Sequence, residues 1–394
     1  MRYPLMKNNL LPQDLAGVIN LLQENDPKLT AGPRVAEFES NWSDWLGVKY
    51  SVFVNSGSSA NLLAIAWLKT LFPHGGRVIV PPFTWSSDIS SVLWMGFTPE
   101  FVDIALHTLS IDEIKLENAL NKYEDIKAVF ITHAQGINGL SNKIIDLCLA
   151  RNILLIEDVC ESHGVVLPNG SKAGSQGILS CFSFYYAHHM STIEGGMVCT
   201  NDYDIYQYLR MARSHGMLRE ATSKALQEKY YKEYPDLNSS FIFPIQGFNV
   251  RNNEIGAIIG ISQLNRLDEM VSKRAFNFEY FLSGLPSWAY KGFDLEGQSN
   301  YAFNLFLNDA DPILMKRLES TLNAEGIEFR RGSAGGGNQV RQPYISSIPR
   351  YSSINPKNEF PIADHIHFFG MYLGNYPELQ LSEIDWLLKV LKNV

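Results

Sequence analysis

A chain of 394 residues that is 45% hydrophobic and 19% charged has the composition of a globular enzyme, with room for one large and one smaller domain. Its formal net charge of -8 excludes a general nucleic-acid binder, although a local cluster of donors can still hold an anion. No apolar run reaches the roughly 20 residues of a membrane helix, and the opening Met1-Arg-Tyr-Pro-Leu-Met has no secretory core; a cytoplasmic chain without a membrane partner is expected.

From about residue 12 to 205, short apolar runs alternate with helical patterns. Residues 59–72 read as a helix, with Leu62, Leu63, Ala66 and Trp67 at helical spacing. Residues 77–81, 127–132 and 153–158 read as strands buried on both faces, and residues 112–122 as a helix between two of them. This rhythm predicts an α/β domain with a mostly parallel sheet. The polar stretch 220–240 reads as an excursion near a domain junction. After residue 255 a long helical pattern leads into a smaller α+β domain. Gly332 to Asn338 is a loop, and Ser382 to Asp385 looks like a capping box opening an amphipathic helix. The predicted division is 1–250 for the large domain and 251–394 for the small one, with the N-terminal segment reaching the small domain. Cys148, Cys160, Cys181 and Cys199 are widely spaced, which argues against a metal or iron–sulfur centre and for reduced core thiols.

Three local features have two readings each. Asn55-Ser56-Gly57-Ser58-Ser59-Ala60-Asn61 precedes a helix; small residues there suit a phosphate, or an ordinary N-cap. Asp158 ends a strand, where ligands of parallel sheets bind, but it also suits a helix cap. Trp85 follows another strand and can stack on a ring or fill a core.

Together with Ser183 and Glu194-Gly195-Gly196, these residues fall in an order that resembles the DegT/DnrJ/EryC1/StrS sugar aminotransferases, which use pyridoxal phosphate on the fold type I architecture. The resemblance covers nearly the whole chain. It includes Thr30-Ala-Gly32-Pro33, Phe38-Glu39, Gly247-Phe-Asn249-Val-Arg251-Asn-Asn-Glu254 and Gly326-Ile-Glu-Phe-Arg330. In that family a lysine six residues before Glu-Gly-Gly tethers the cofactor. Here His188 stands in its place, and no lysine occurs between Lys172 and Lys224. The stretch Tyr185-Tyr-Ala-His188-His189-Met-Ser-Thr-Ile-Glu194 resembles a small histidine-bearing branch, the nucleotide-sugar 3-dehydratases. Arg213-Ser-His215-Gly216, Arg219 and Gly337-Asn338-Gln-Val-Arg341 echo it. A related branch carries an iron–sulfur cluster, which the cysteine spacing here does not supply.

The resemblance implies a fold type I enzyme that removes the 3-hydroxyl of a nucleotide-linked 4-keto-6-deoxy sugar, with His188 as base. Pyridoxamine or pyridoxal 5'-phosphate would be bound without a covalent link, and glutamate would restore the amine. Gly57, Ser58 and Ser183 would hold the phosphate, Trp85 would stack on the ring, Asp158 would pair with its nitrogen, and Glu161 would support the same site. Asn249 would reach the phosphate in a neighbouring subunit of a homodimer with shared active sites. His215, Arg219, Arg330, Arg331 and Arg341 are candidates for substrate contacts; each also suits a solvated or structural role. Two rivals stand beside this reading: an aminotransferase with a relocated lysine, and a binder of cofactor or nucleotide sugar that has lost catalysis.

Overall fold

The apolar runs pair into one sheet. In the computed structural model, which describes residues 3–394, seven strands lie in the order Tyr50–Val54, Gly196–Thr200, Leu179–Ser183, Leu154–Asp158, Ile126–Thr132, Arg77–Val80 and Thr98–Phe101. Only Gly196–Thr200 runs against the others. The central runs are buried along nearly their full length, because helices cover both faces of the sheet. The parallel strands therefore end on one edge. Val54, Val80, Thr132, Asp158 and Ser183 all lead into that edge, the usual place for a ligand in such a sheet.

A second layer is built on three antiparallel strands in the order Phe303–Phe306, Gly370–Leu373 and Phe329–Arg331, backed by the helices Pro312–Ala324, Pro361–Phe369 and Leu381–Lys392. Tyr3 joins it, exchanging backbone hydrogen bonds with Gly326 and Glu328 and donating its hydroxyl to the Gly374 carbonyl at 2.9 Å. The expected division at residue 250 lies just before the helix Glu254–Leu264, which packs on Pro12–Leu22 and Pro33–Leu46. The chain then crosses to the second layer along Leu267–Gly284.

Glu254 explains why two quoted motifs lie together. Its buried carboxylate accepts from Gly32 N at 2.9 Å, Arg34 N at 3.0 Å and Val35 N at 2.9 Å, capping the helix Pro33–Leu46 from across the fold. Removing it strands three donors. Glu254→Ala is expected to lower the unfolding free energy by about 2–4 kcal/mol in urea titration.

Three expectations shift. The excursion 220–240 contains a helix, Lys224–Glu233, capped by Ser223 and with no buried residue; strong helix formers and a cap suffice there without a core face. The long pattern after 255 is two helices, broken between Leu264 and Leu267. The last helix opens at Leu381, with Gln380 and Glu383 forming the capping box two residues earlier than the Ser382 frame.

Candidate active site

The end of Tyr50–Val54 turns directly into the helix Gly57–Leu71, leaving the first amides of a four-turn helix free. A Cβ on Gly57 would sit 2.6 Å from Ser183 Cβ and 2.9 Å from Cys160 Sγ. A Cβ on Gly196 would strike the Ser56 backbone and lie 2.6 Å from Gly57 N. The glycines thus let three strand ends converge on one helix N-terminus. Ser183 is buried against this cradle, while Ser58 lies exposed in the first helical turn. Such a cradle suits a phosphate, since backbone N–H groups and the helix dipole both favour an anion. Gly57→Ala is expected to weaken pyridoxamine phosphate binding by about tenfold or more, measured by fluorescence titration of the apoprotein.

Asp158 lies next along the edge. Its Oδ1 accepts from Cys160 N at 2.8 Å and its Oδ2 from Asn61 Nδ2 at 2.9 Å. Asn61 projects from the Gly57 helix and also donates to Asp88 at 2.7 Å. Trp85 precedes the helix that carries Asp88, and 56% of its surface is open. Its ring is therefore free to cover a flat ligand, and core packing is not its role. Glu161 is within reach of the same edge: its carboxylate accepts from Gln135 N at 3.1 Å and Gln135 Nε2 at 3.2 Å. Burial pushes its pKa up to about 7 despite these donors.

The turn after Ser183 carries His188 back toward Asp158. His188 Nδ1 is buried without a partner, and its ring lies 5.5 Å from that of Tyr301 and 6.1 Å from that of His163. Burial pushes its pKa down to about 4; Asp158 pulls it partly back, and the Arg274 guanidinium lowers it further. The imidazole is neutral at physiological pH and can accept a proton. Tyr301 is held there by the turn that follows the strand Ile126–Thr132: Tyr301 N donates to Gln135 O at 3.0 Å and Ser299 N to Gly136 O at 2.8 Å. Ile193, in the turn before Glu194, takes a left-handed φ of 71°, rare for a β-branched residue and characteristic of a constrained site.

His163 and His189 lie behind His188, both fully buried, and burial holds each well below the ordinary histidine range. His163 packs 5.7, 5.8 and 5.6 Å from the rings of Trp42, Phe182 and Phe184, with neither nitrogen hydrogen-bonded. Its setting is that of an aromatic core residue. Below about pH 6.5 the unfolded chain protonates this histidine and the folded chain does not, so its contribution to stability falls as pH falls. His163→Phe is therefore expected to gain on the wild type by about 1.4 kcal/mol per pH unit below pH 6.5, read by urea unfolding.

The outer candidates are placed less centrally. Arg341 makes a two-point ion pair with Asp364 and lies 4.7 Å over the Phe368 ring, which commits it to the fold. Arg331 pairs with Glu319 at 3.0 Å and donates to Phe368 O at 3.0 Å. Arg330 pairs with Glu328 at 3.2 Å; opposite it on the next strand is Tyr372, whose ring meets Tyr301, so it lies nearer the cleft. Arg219 lies over Phe241 at 5.3 Å, and His215 is exposed with φ 62° and its N–H on Phe248 O. Asn249 is exposed, its backbone bridged to Ser214 and its side chain accepting from Arg251 at 3.2 Å. Sequence reading gave no role to Asn61, Asp88, Gln135, Arg274 and Tyr301. Asn61 alone had a signal, at the end of the quoted run of small residues.

The donor set fits pyridoxal or pyridoxamine phosphate. The cradle at Gly57 excludes a Cβ, Asp158 offers a fixed buried carboxylate, Trp85 an open face, and His188 an unpartnered nitrogen. Among the described residues no group of three His, Cys, Asp or Glu is placed to hold a metal ion, and all four cysteines are free. No helix among them is long and apolar enough to cross a membrane.

Fold and site together define a coenzyme B6 protein of fold type I in which the tethering lysine is absent. The chain belongs to the DegT/DnrJ/EryC1/StrS aminotransferase family, which matches residues 12–392. It is 32% identical to the GDP-4-keto-6-deoxy-D-mannose 3-dehydratase of Escherichia coli O55:H7 over 100% of both chains. It is 33% identical to the enzyme of that name from Yersinia pseudotuberculosis, over 100% of this chain and 98% of the relative. The crystal structure of the E. coli dehydratase with bound hydrated pyridoxal phosphate superposes with a TM-score of 0.88 at 30% identity, covering 99% of each chain.

Proposed function

We propose that this chain is a coenzyme B6-dependent 3-dehydratase of a nucleotide-linked 4-keto-6-deoxy sugar, with GDP the nucleotide favoured by the full-length relatives. The observation that carries it is a neutral imidazole, His188, standing where the family's tethering lysine would be, in electrostatic contact with Asp158. When bound, pyridoxamine phosphate supplies an amine that condenses with the sugar ketone and a ring that spreads the electrons released during deprotonation.

The protein's part follows from its own groups. Gly57, Ser58 and Ser183 would hold the phosphate at the helix N-terminus. Trp85 would cover the ring, and Asp158 would keep a proton at the ring nitrogen by offering a negative charge. His188 would accept the proton released from the carbon that bears the cofactor's amine. The imidazolium so formed returns it to the oxygen leaving sugar carbon 3, so one residue serves as base and then acid. An imidazole forms no lasting bond to the cofactor aldehyde, which favours elimination over amine transfer to the sugar.

Glutamate as amino donor, and a homodimer in which Asn249 completes the partner's phosphate site, belong to this proposal. The exposure of Asn249 supports the second, as do Tyr185, Tyr186, Ile193, Phe241 and Phe243, large apolar residues left open on the single chain. The test is incubation with pyridoxamine phosphate and a panel of nucleotide 4-keto-6-deoxy sugars. A product lighter by one oxygen atom, with ammonia, is expected. An amino sugar would mark an aminotransferase instead, and an unchanged panel a binder.

A further inference from the structure

Asp88 is an acid for which the reading above has no use. It sits in the first turn of the helix Ser86–Trp94 and is fully buried. Its Oδ1 accepts from Asn61 Nδ2 at 2.7 Å; its Oδ2 meets the Thr84 hydroxyl closely and Thr132 Oγ1 at 3.0 Å. The same Asn61 nitrogen reaches Asp158 Oδ2 at 2.9 Å. One amide nitrogen thus bridges two buried carboxyl groups, and burial, followed by the neighbouring Asp158 charge, pushes the Asp88 pKa well up. Asp158, Cys160, Cys181 and Tyr344 are titratable groups that interact with Asp88, and none of these four is a cation.

We propose that Asp88 is a positioning residue that keeps one proton in the Asp88–Asp158 pair, so that the cofactor's ring nitrogen meets a fixed, singly charged partner. Two buried carboxyl groups held this close by one bridging amide oppose each other's ionisation, and the proton belongs to the pair as a unit. The surroundings decide where it resides. Asp158 takes the Cys160 backbone N–H, which can only donate and so favours the charge. Asp88 faces two hydroxyls, which accept as readily as they donate. With the proton on Asp88, the single negative charge of the pair lies at Asp158, and a negative charge there favours a proton on the ring nitrogen. Asn61 locks the register of both carboxyls to the helix that cradles the phosphate, which sets ring nitrogen and phosphate sites at one spacing.

The positioning role rests on the cofactor reading of the site; the retained proton does not, and the experiment separates them. Apoprotein of the wild type and of Asp88→Asn is unfolded in urea between roughly pH 5.5 and 8.5. Above about pH 4 the unfolded chain releases the Asp88 proton and the folded chain keeps it, so stability is lost as pH rises. The wild-type unfolding constant, divided by that of Asp88→Asn, is expected to rise about tenfold per pH unit. A flat ratio overturns the retained proton.

Pyridoxamine phosphate carrying a nitrogen-15 ring label is then bound to the wild type, Asp88→Asn and Asp88→Ala. The amide of Asp88→Asn still offers a donor, and its Kd is expected within about threefold of wild type with the ring nitrogen protonated. Asp88→Ala is expected to bind about tenfold more weakly, with the nitrogen resonance moved toward the unprotonated position. Wild-type affinity and resonance in Asp88→Ala overturn the positioning role. If Asp88→Ala does not fold, a wild-type resonance that titrates like free cofactor does so in its place. A wild type that binds no pyridoxamine phosphate overturns the cofactor reading and the positioning role together, and leaves the unfolding ratio to decide the proton.

Discussion

Lysine in place of His188 is expected to link the cofactor to the protein and to lower 3-dehydration by roughly 10²–10⁴-fold, the range for loss of a positioned general base. The lysine amine would reach the place the imidazole now occupies, between Asp158 and Tyr301. There it would capture the aldehyde form of the cofactor, and it could deliver a proton to the sugar, which favours amine transfer. Borohydride reduction followed by peptide mapping should then label residue 188 in His188→Lys and no residue in the wild type. Dehydration continuing at the wild-type rate in the variant would remove His188 from the mechanism. The wild-type pH profile gives an independent check. Burial holds His188 near 4, so its ionisation should leave no limb in kcat/KM near pH 6.5, where an exposed histidine would titrate.

The second large effect is expected at Asp158. Asp158→Asn keeps the shape and can still accept from Cys160 N through its one amide oxygen, but it gives up the Asn61 contact and removes the charge proposed to hold a proton on the ring nitrogen. Without it the ring accepts electrons poorly. Single-turnover consumption of the 4-keto sugar should slow by about 10²–10³-fold, comparable to loss of a strong electrostatic stabiliser. Cofactor binding should weaken far less, because the phosphate cradle at Gly57 and Ser183 and the Trp85 face remain. A variant that turns over normally would show that another group protonates the ring.

Much of the large domain could be read directly. The runs at 77–81, 127–132 and 153–158 are uninterrupted apolar segments ending in polar residues, and they are strands because both faces of the sheet are covered. The helix after Ser56 was legible from its spacing and small N-terminal residues. Boundaries were less so: the break between Leu264 and Leu267 interrupts an apolar pattern that carries on through it. For the arginine candidates, residue type alone did not show which partners each one meets in the fold. Arg341 lies beside a glycine-rich loop in sequence, yet in space Asp364 and Phe368 claim it.

By itself, the chain's linear order settled that a lysine is missing from its slot, that a histidine fills it, and which small residues surround a helix start. Those are facts of chemistry and spacing, and they follow the backbone locally. Only the folded state put Asn61 against both Asp88 and Asp158, and set Arg274 and Tyr301 around His188. The reason is that burial, and the Coulomb interactions it strengthens, act through space between segments tens to hundreds of residues apart. The proton affinity of a side chain is therefore fixed by neighbours that no local pattern reveals.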